Sequence, residues 1–218
     1  MKRTPEPELM DEATQARAYS EADFAAPHEA FCDAAQRVYS SDMQGEVLDL
    51  GCGPADVTVR FARRNPNCRI VGVDGAQAML DLGQARIDKE GLSQRIKLAQ
   101  HYLPSTTLPK AFDGVISNSL LHHLADPMVL WQTIATHVQK DAPVFVMDLM
   151  RPTNEAEVKQ LVSQYASQEP EVLRHDFECS LHAAYRVDEL TAQLKAAQLG
   201  HLTVEAITDR HLIVFGYR

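Results

Sequence analysis

Two glycines and two carboxylates carry the strongest chemical signal in this chain. An apolar run, Val47-Leu48-Asp49-Leu50, leads directly into Gly51-Cys52-Gly53-Pro54-Ala55-Asp56. Glycines at 51 and 53 permit a tight turn and let peptide groups approach a ligand with no Cβ in between. About 20 positions further on, Asp74 closes a second β-branched run, where a carboxylate can accept hydrogen bonds from both vicinal hydroxyls of a ribose. Gly75 and Met79 follow, offering backbone and a polarizable thioether to a flat heterocycle. The pattern stops short of a dinucleotide fingerprint, because Asp56 stands where GxGxxG requires its third glycine. The chemistry expected is binding of a nucleoside ligand without a pyrophosphate.

The elements that must position these residues alternate along the chain. Strands are expected near 46–51, 69–74, 95–100, 112–117 and 142–148, with helices between most of them, which implies a parallel sheet. Beyond Pro152 a helical stretch runs through Gln168, and a second spans Val187 to Gln198. Two final strands, 201–207 and 211–217, are joined by Thr208-Asp209-Arg210, a link short enough to make them antiparallel neighbours. Residues 150–182 exceed what a bare connection needs and read as a lid or substrate-side insertion. Residues 1 to about 12 are rich in Pro and Glu and are expected to be mobile. From Ala13 to Ser40, apolar spacing suits short helices that precede the core rather than belong to it.

In the order and spacing of its motifs the chain resembles the class I S-adenosylmethionine-dependent methyltransferases. Val47 to Asp56 has the form of that family's first motif, and Asp74 is the acid that ends its second. Phe112-Asp113-Gly114-Val115-Ile116-Ser117-Asn118-Ser119-Leu120-Leu121-His122-His123-Leu124-Ala125-Asp126-Pro127 looks like its fourth-strand segment, and Ala142 to Asp148 like its fifth strand. The likeness covers roughly residues 45 to 150. It implies a doubly wound, mostly parallel seven-stranded α/β sheet with an antiparallel last strand and an N-terminal helical cap. The expected organisation is a mobile terminus and cap over 1–40 and a Rossmann-like domain over 41–218.

The same resemblance implies S-adenosyl-L-methionine as cofactor. Asp49, Gly51, Cys52 and Gly53 are placed at its methionyl part, Asp74 at the ribose, and Gly75 and Met79 at the adenine. Gln100 and His101 stand where relatives often carry an acid for the adenine amino group. Asn118 and Ser119 are placed beside the amino acid end, with Asn118 also at the reacting methyl as a catalytic residue. His122 and His123 would diverge by about 100° on a helix, so both could not face one ligand. The resemblance favours His123, or its neighbour, at the substrate mouth as the proton acceptor for a hydroxyl or amine nucleophile. Substrate contacts are expected from Tyr19 and Phe24 of the cap, from His122, from Arg151 after the fifth strand, and from Tyr165 in the insertion. Ala55 departs from the family's usual glycine.

Composition narrows the remaining choices. The chain has 218 residues, enough for one well-buried domain, with 45% hydrophobic and 23% charged residues, as in globular proteins. No apolar run approaches a membrane span, and no signal peptide or anchor is indicated, so a cytoplasmic location is expected. Cys32, Cys52, Cys68 and Cys179 form no CxxC pair, which argues against a zinc site or a disulfide framework, and no metal is expected. A net charge of −9 disfavours nucleic acid as partner and favours a small-molecule acceptor. The alternatives are an RNA (tRNA) methyltransferase and a catalytically silent S-adenosylmethionine-binding regulatory subunit. Oligomeric state leaves no sequence signal.

Overall fold

The β-branched and aliphatic runs become strands in the computed structural model, which describes residues 1–6, 20, 24–39, 43–105, 107–109 and 111–218. They are β1 (Gly45–Leu50), β2 (Cys68–Asp74), β3 (Ile96–Gln100), β4 (Gly114–Asn118), β5 (Pro143–Leu149), β6 (Thr203–Ala206) and β7 (His211–Tyr217), in one sheet of order β3-β2-β1-β4-β5-β7-β6. Six strands run parallel, and β7 lies antiparallel between β5 and β6. The chain steps outward from β1 to β3 and then returns to place β4 on the other side of β1. Ligands of open α/β sheets bind at such a reversal, beyond the carboxyl ends of the strands.

Side-chain alternation along the strands splits the core in two. Leu48, Leu50, Val144, Val146, Leu212 and Val214 face Trp131 and Ile134 of α4 (Met128–His137) and Leu190 and Leu194 of α7 (Val187–Ala196). Val47, Ile70, Ile116, Phe145, Met147 and Ile213 face α1 (Ala25–Val38), α2 (Asp56–Arg64) and α3 (Gln77–Lys89). The segment before β1 was expected to precede the core, but α1 belongs to it. Its Phe31, Cys32, Ala34 and Ala35 are buried, with Phe31 edge-on to Phe61 and Phe145. Tyr39 then pins the end of the helix to the sheet by donating to the carbonyls of Val144 (2.6 Å) and Gly216 (2.8 Å).

Two helices fill the long connection after β5. Asn154 caps α5 (Glu155–Tyr165) by accepting from the N–H groups of Ala156 and Glu157 at 3.0 and 3.1 Å. α6 (Glu171–Ala183) packs against it through Val158, Leu161 and Leu181, and lies against a 3₁₀ turn, Leu121–His123. Residues 1–6 are not loose as their composition suggested. Thr4 N–H donates to the His182 carbonyl (3.1 Å), and the Arg3 guanidinium donates to the carbonyls of Ala183, His122 and Leu124 while stacking on the Tyr185 ring. No helix among the described residues is long and apolar enough to cross a membrane.

Candidate active site

The turn after β1 is built by local backbone demands. Gly51 (φ +71°) and Gly53 (φ +50°) take left-handed conformations, and the N–H groups of Gly51 and Cys52 both donate to the Val73 carbonyl, at 2.9 and 3.1 Å. A Cβ at Gly51 would meet Leu120 Cβ at 2.9 Å, so the loops after β1 and β4 touch with no room between them. Gly51→Ala is expected to destabilise the fold by about 2–4 kcal/mol, combining left-handed strain with overpacking. A urea titration that leaves the midpoint unchanged would show that the two loops yield freely. Ala55, where relatives have glycine, also sits in the left-handed region (φ +58°) and opens α2.

Asp74 closes β2 and spans the crevice. Its carboxylate accepts from Gly53 N–H and from Ala76 N–H, both at 2.9 Å, and so ties the glycine turn to the start of α3. Burial pushes its carboxyl above the ordinary range against the pull of these backbone donors. Asp49 is 2% exposed and accepts from the Thr58 hydroxyl at 2.6 Å. Burial, aided by the nearby Asp74 charge, pushes it up to about 7. Among the described residues no cation pairs with Asp49. Burial also drives the Cys52 thiol well above its usual value, which keeps it an uncharged part of the wall.

Asp49, Gly51, Cys52, Gly53, Asp74, Gly75, Met79, His101, Asn118, Ser119 and His123 all line one pocket, as their sequence positions suggested. Ser119 adopts φ +55° as the chain leaves β4, and its hydroxyl accepts from the Asn118 amide at 3.2 Å. The pocket also includes residues the sequence did not single out: His28, Asp56, Tyr102, Leu103 and Leu120. Asp56 Oδ2 lies 2.6 Å from His28 Nδ1 and accepts from Arg60 Nε at 2.8 Å, and Arg86 bonds its other oxygen. These bonds overcome partial burial and hold its carboxyl far below the ordinary range. The available signal was the acid itself, standing in the third-glycine position.

Several residues expected at the site lie away from this pocket. Gln100 lies outside the pocket, where its amide donates to the Gly75 carbonyl at 2.9 Å, because strand alternation turns only the next residue, His101, inward. Phe24 sits behind His28, with ring centroids 5.6 Å apart. Arg151 is 3% exposed and turned away from the crevice, donating to the Ala184 carbonyl at 2.8 Å and pairing with Glu189 of α7. Tyr165 donates to Asp209 at 2.8 Å and is covered by Arg210, so it closes the β6–β7 turn against α5. Tyr19 lies outside the described residues.

His122 does not line the pocket. It is buried against Asp148, and burial, which disfavours its charge, is outweighed by that carboxylate and Glu6, so its pKa lies above the usual value. The expected divergence of His122 and His123 is also not found. In the 3₁₀ turn their rings stand 4.2 Å apart at 35°, and both approach Glu6.

Residues 47–141 match the family model described as "Methyltransferase domain". The chain is 32% identical over 111 residues to a demethylmenaquinone methyltransferase of Lactobacillus johnsonii, covering 49% of this chain and 45% of that protein. It is 31% identical over 110 residues to a trans-aconitate 2-methyltransferase of Methylobacterium radiotolerans, covering 50% and 39%. The chain thus spans less than half the length of these curated relatives. Its fold is similar to that of a SAM-dependent methyltransferase from Aquifex aeolicus, with TM-score 0.68 at 12% identity, over 94% of this chain and 97% of that one.

Proposed function

This chain belongs to the class I, Rossmann-like methyltransferases, and from that premise we propose that it transfers the methyl group of S-adenosyl-L-methionine to a small-molecule acceptor. The observation that carries this reading is a pair of carboxylates, the buried Asp49 and the half-buried Asp74, facing one crevice at the sheet's reversal point. A buried acid without a cation partner is costly, and a ligand bearing an ammonium group and a sulfonium supplies the missing charge at Asp49. The residues present therefore fit the cofactor.

That cofactor supplies a methyl carbon activated by positive sulfur. In this reading Asp74 accepts from the ribose hydroxyls, Met79 and His101 border the adenine, and Asn118 and Ser119 orient the amino acid end. Transfer is an in-line displacement, so alignment is the main task of these groups. His123 takes the acceptor's proton, with Glu6 Oε1 3.3 Å from its Nδ1. The insertion over 150–182 covers the acceptor side, and the four free cysteines suit a cytoplasmic setting. The acidic chain and the two relatives named for small acceptors support a small molecule over RNA.

Calorimetric titration with S-adenosylmethionine and S-adenosylhomocysteine tests the cofactor, with NAD as control. Binding of the two adenosyl sulfur ligands alone is expected, and silence from both would remove the reading. With an acceptor found by screening metabolites and RNA, His123→Ala should lower turnover by about 100-fold or more while leaving cofactor affinity within about twofold. Equal turnover in both proteins would make the histidine structural.

A further inference from the structure

The amino-terminal segment brings Glu6 across 116 residues of sequence onto the 3₁₀ turn that carries His122 and His123. Glu6 Oε1 lies 3.3 Å from His123 Nδ1 and 3.6 Å from His122 Nε2, and one donor atom from each side chain falls within 4.8 Å of the others. A tetrahedral ion with bonds of about 2.0–2.1 Å sets its donors about 3.3 Å apart. The two separations from Glu6 are thus close to the spacing that a first-row divalent ion requires, and the two histidine nitrogens lie within 4.8 Å of each other.

The surroundings match that use. The second nitrogen of His122 is bonded to the Asp148 carboxylate, which fixes the ring and leaves Nε2 directed at Glu6. Asp148 is itself held by the N–H groups of Leu121 (2.7 Å) and Leu149 (2.6 Å). A carboxylate behind a histidine is the usual support of a metal ligand. Glu6 is held by the Ser180 hydroxyl at 3.1 Å, and its side chain is 9% exposed. Arg3, three residues earlier, locks this segment to the 3₁₀ turn itself through the carbonyls of His122 and Leu124.

We propose that Glu6, His122 and His123 form a binding site for a zinc-like divalent transition-metal ion, with Asp148 orienting His122 from behind. Two histidines and one carboxylate leave a coordination position open, as in metal sites that bind a reactant. His123 also borders the cofactor pocket, so the open position serves a hydroxyl or thiol of a second molecule brought to that wall. The site does not depend on which cofactor the pocket takes. It does change how His123 acts, because with the ion bound His123 serves as a ligand rather than as a proton acceptor. Turnover alone therefore cannot identify it, and the test reads metal directly.

The full chain, stripped with a chelator, is titrated with Zn²⁺ by calorimetry and with Co²⁺ by visible absorption. About one equivalent is expected, with the intense bands of a tetrahedral cobalt site. Glu6→Gln, isosteric and borne on the terminal segment, should weaken Zn²⁺ binding by about tenfold or more, and Asp148→Asn by about 10–100-fold. A rival locus exists on α6, where Cys179 Sγ lies 3.6 Å from His175 Nε2. Cys179→Ala should leave the titration unchanged. No binding by the unmodified chain, or binding that follows Cys179→Ala and ignores Glu6→Gln, would overturn the proposal. S-adenosylhomocysteine titration of each variant shows whether it is folded.

Discussion

Asp74→Ala weakens binding of S-adenosylhomocysteine by about 100-fold or more, the largest effect expected from any single change in the pocket. Two hydrogen bonds to an ionised acceptor contribute about 1.5–3 kcal/mol each, and both are lost when the ribose has no carboxylate to meet. The same substitution frees the N–H groups of Gly53 and Ala76, so the glycine turn loses its tie to α3. Asp74→Asn separates the two effects, since its amide oxygen can keep one backbone bond while losing the charge. Calorimetric titration of both variants checks this, with urea midpoints to confirm the fold. Affinity unchanged in Asp74→Ala would take the residue out of the binding site.

The second large effect is a dependence of stability on pH that resides in Asp49. Its folded-state pKa of about 7 lies above the unfolded value of 3.8, so the folded chain holds a proton that the unfolded chain releases. The stability this group contributes is complete below about pH 4 and is lost as pH rises through 7. At about 1.4 kcal/mol per pH unit, the ligand-free chain should lose roughly 2–3 kcal/mol between pH 5 and pH 8 from this residue. Asp49→Asn keeps the shape and abolishes that loss, so the variant should be the more stable protein at pH 8. It should also bind S-adenosylmethionine more weakly, because the ligand's ammonium draws on the ionised carboxylate. Binding to the unmodified chain near pH 6 should release a proton, visible as a heat that changes with the buffer's ionisation enthalpy. Parallel pH profiles for the two proteins would show that Asp49 ionises freely in the fold.

Much of this arrangement could be read from the chain because its cues are local. Asp49, Gly51, Gly53 and Asp74 lie on strand ends whose β-branched neighbours announce them, and strand alternation carries the core assignment of Val144 to Met147 with it. Side chains whose partners are distant were not legible. Arg151 follows a strand as a substrate clamp would, yet its direction is set by Glu189 and the Ala184 carbonyl, which only the folded chain brings near. Asp56 could be seen only as a missing glycine, since His28 and Arg86 reach it from separate helices. The proline and glutamate of residues 1–6 suggested a loose tail, because composition does not register one arginine that meets three carbonyls. The expectation of no metal rested on the cysteine pattern alone, and Glu6 stands too far along the chain from the histidine pair for the three to register as one cluster.

The absence of space between Gly51 and Leu120 constrains how a protein of this shape can acquire new acceptors. Any enlargement or shift at Leu120 presses on the Gly51 turn, which the proposed function puts at the cofactor, so on that reading a gain in acceptor choice there is tied to a loss of cofactor affinity. The walls contributed by residues 101–103 and by His28 of α1 carry no such penalty, since the atoms that crowd Gly51 belong to Leu120. Variation that retargets the enzyme should therefore collect in these outlying segments. Engineers seeking a new acceptor would do well to randomise them first and leave the loop after β4 as it stands.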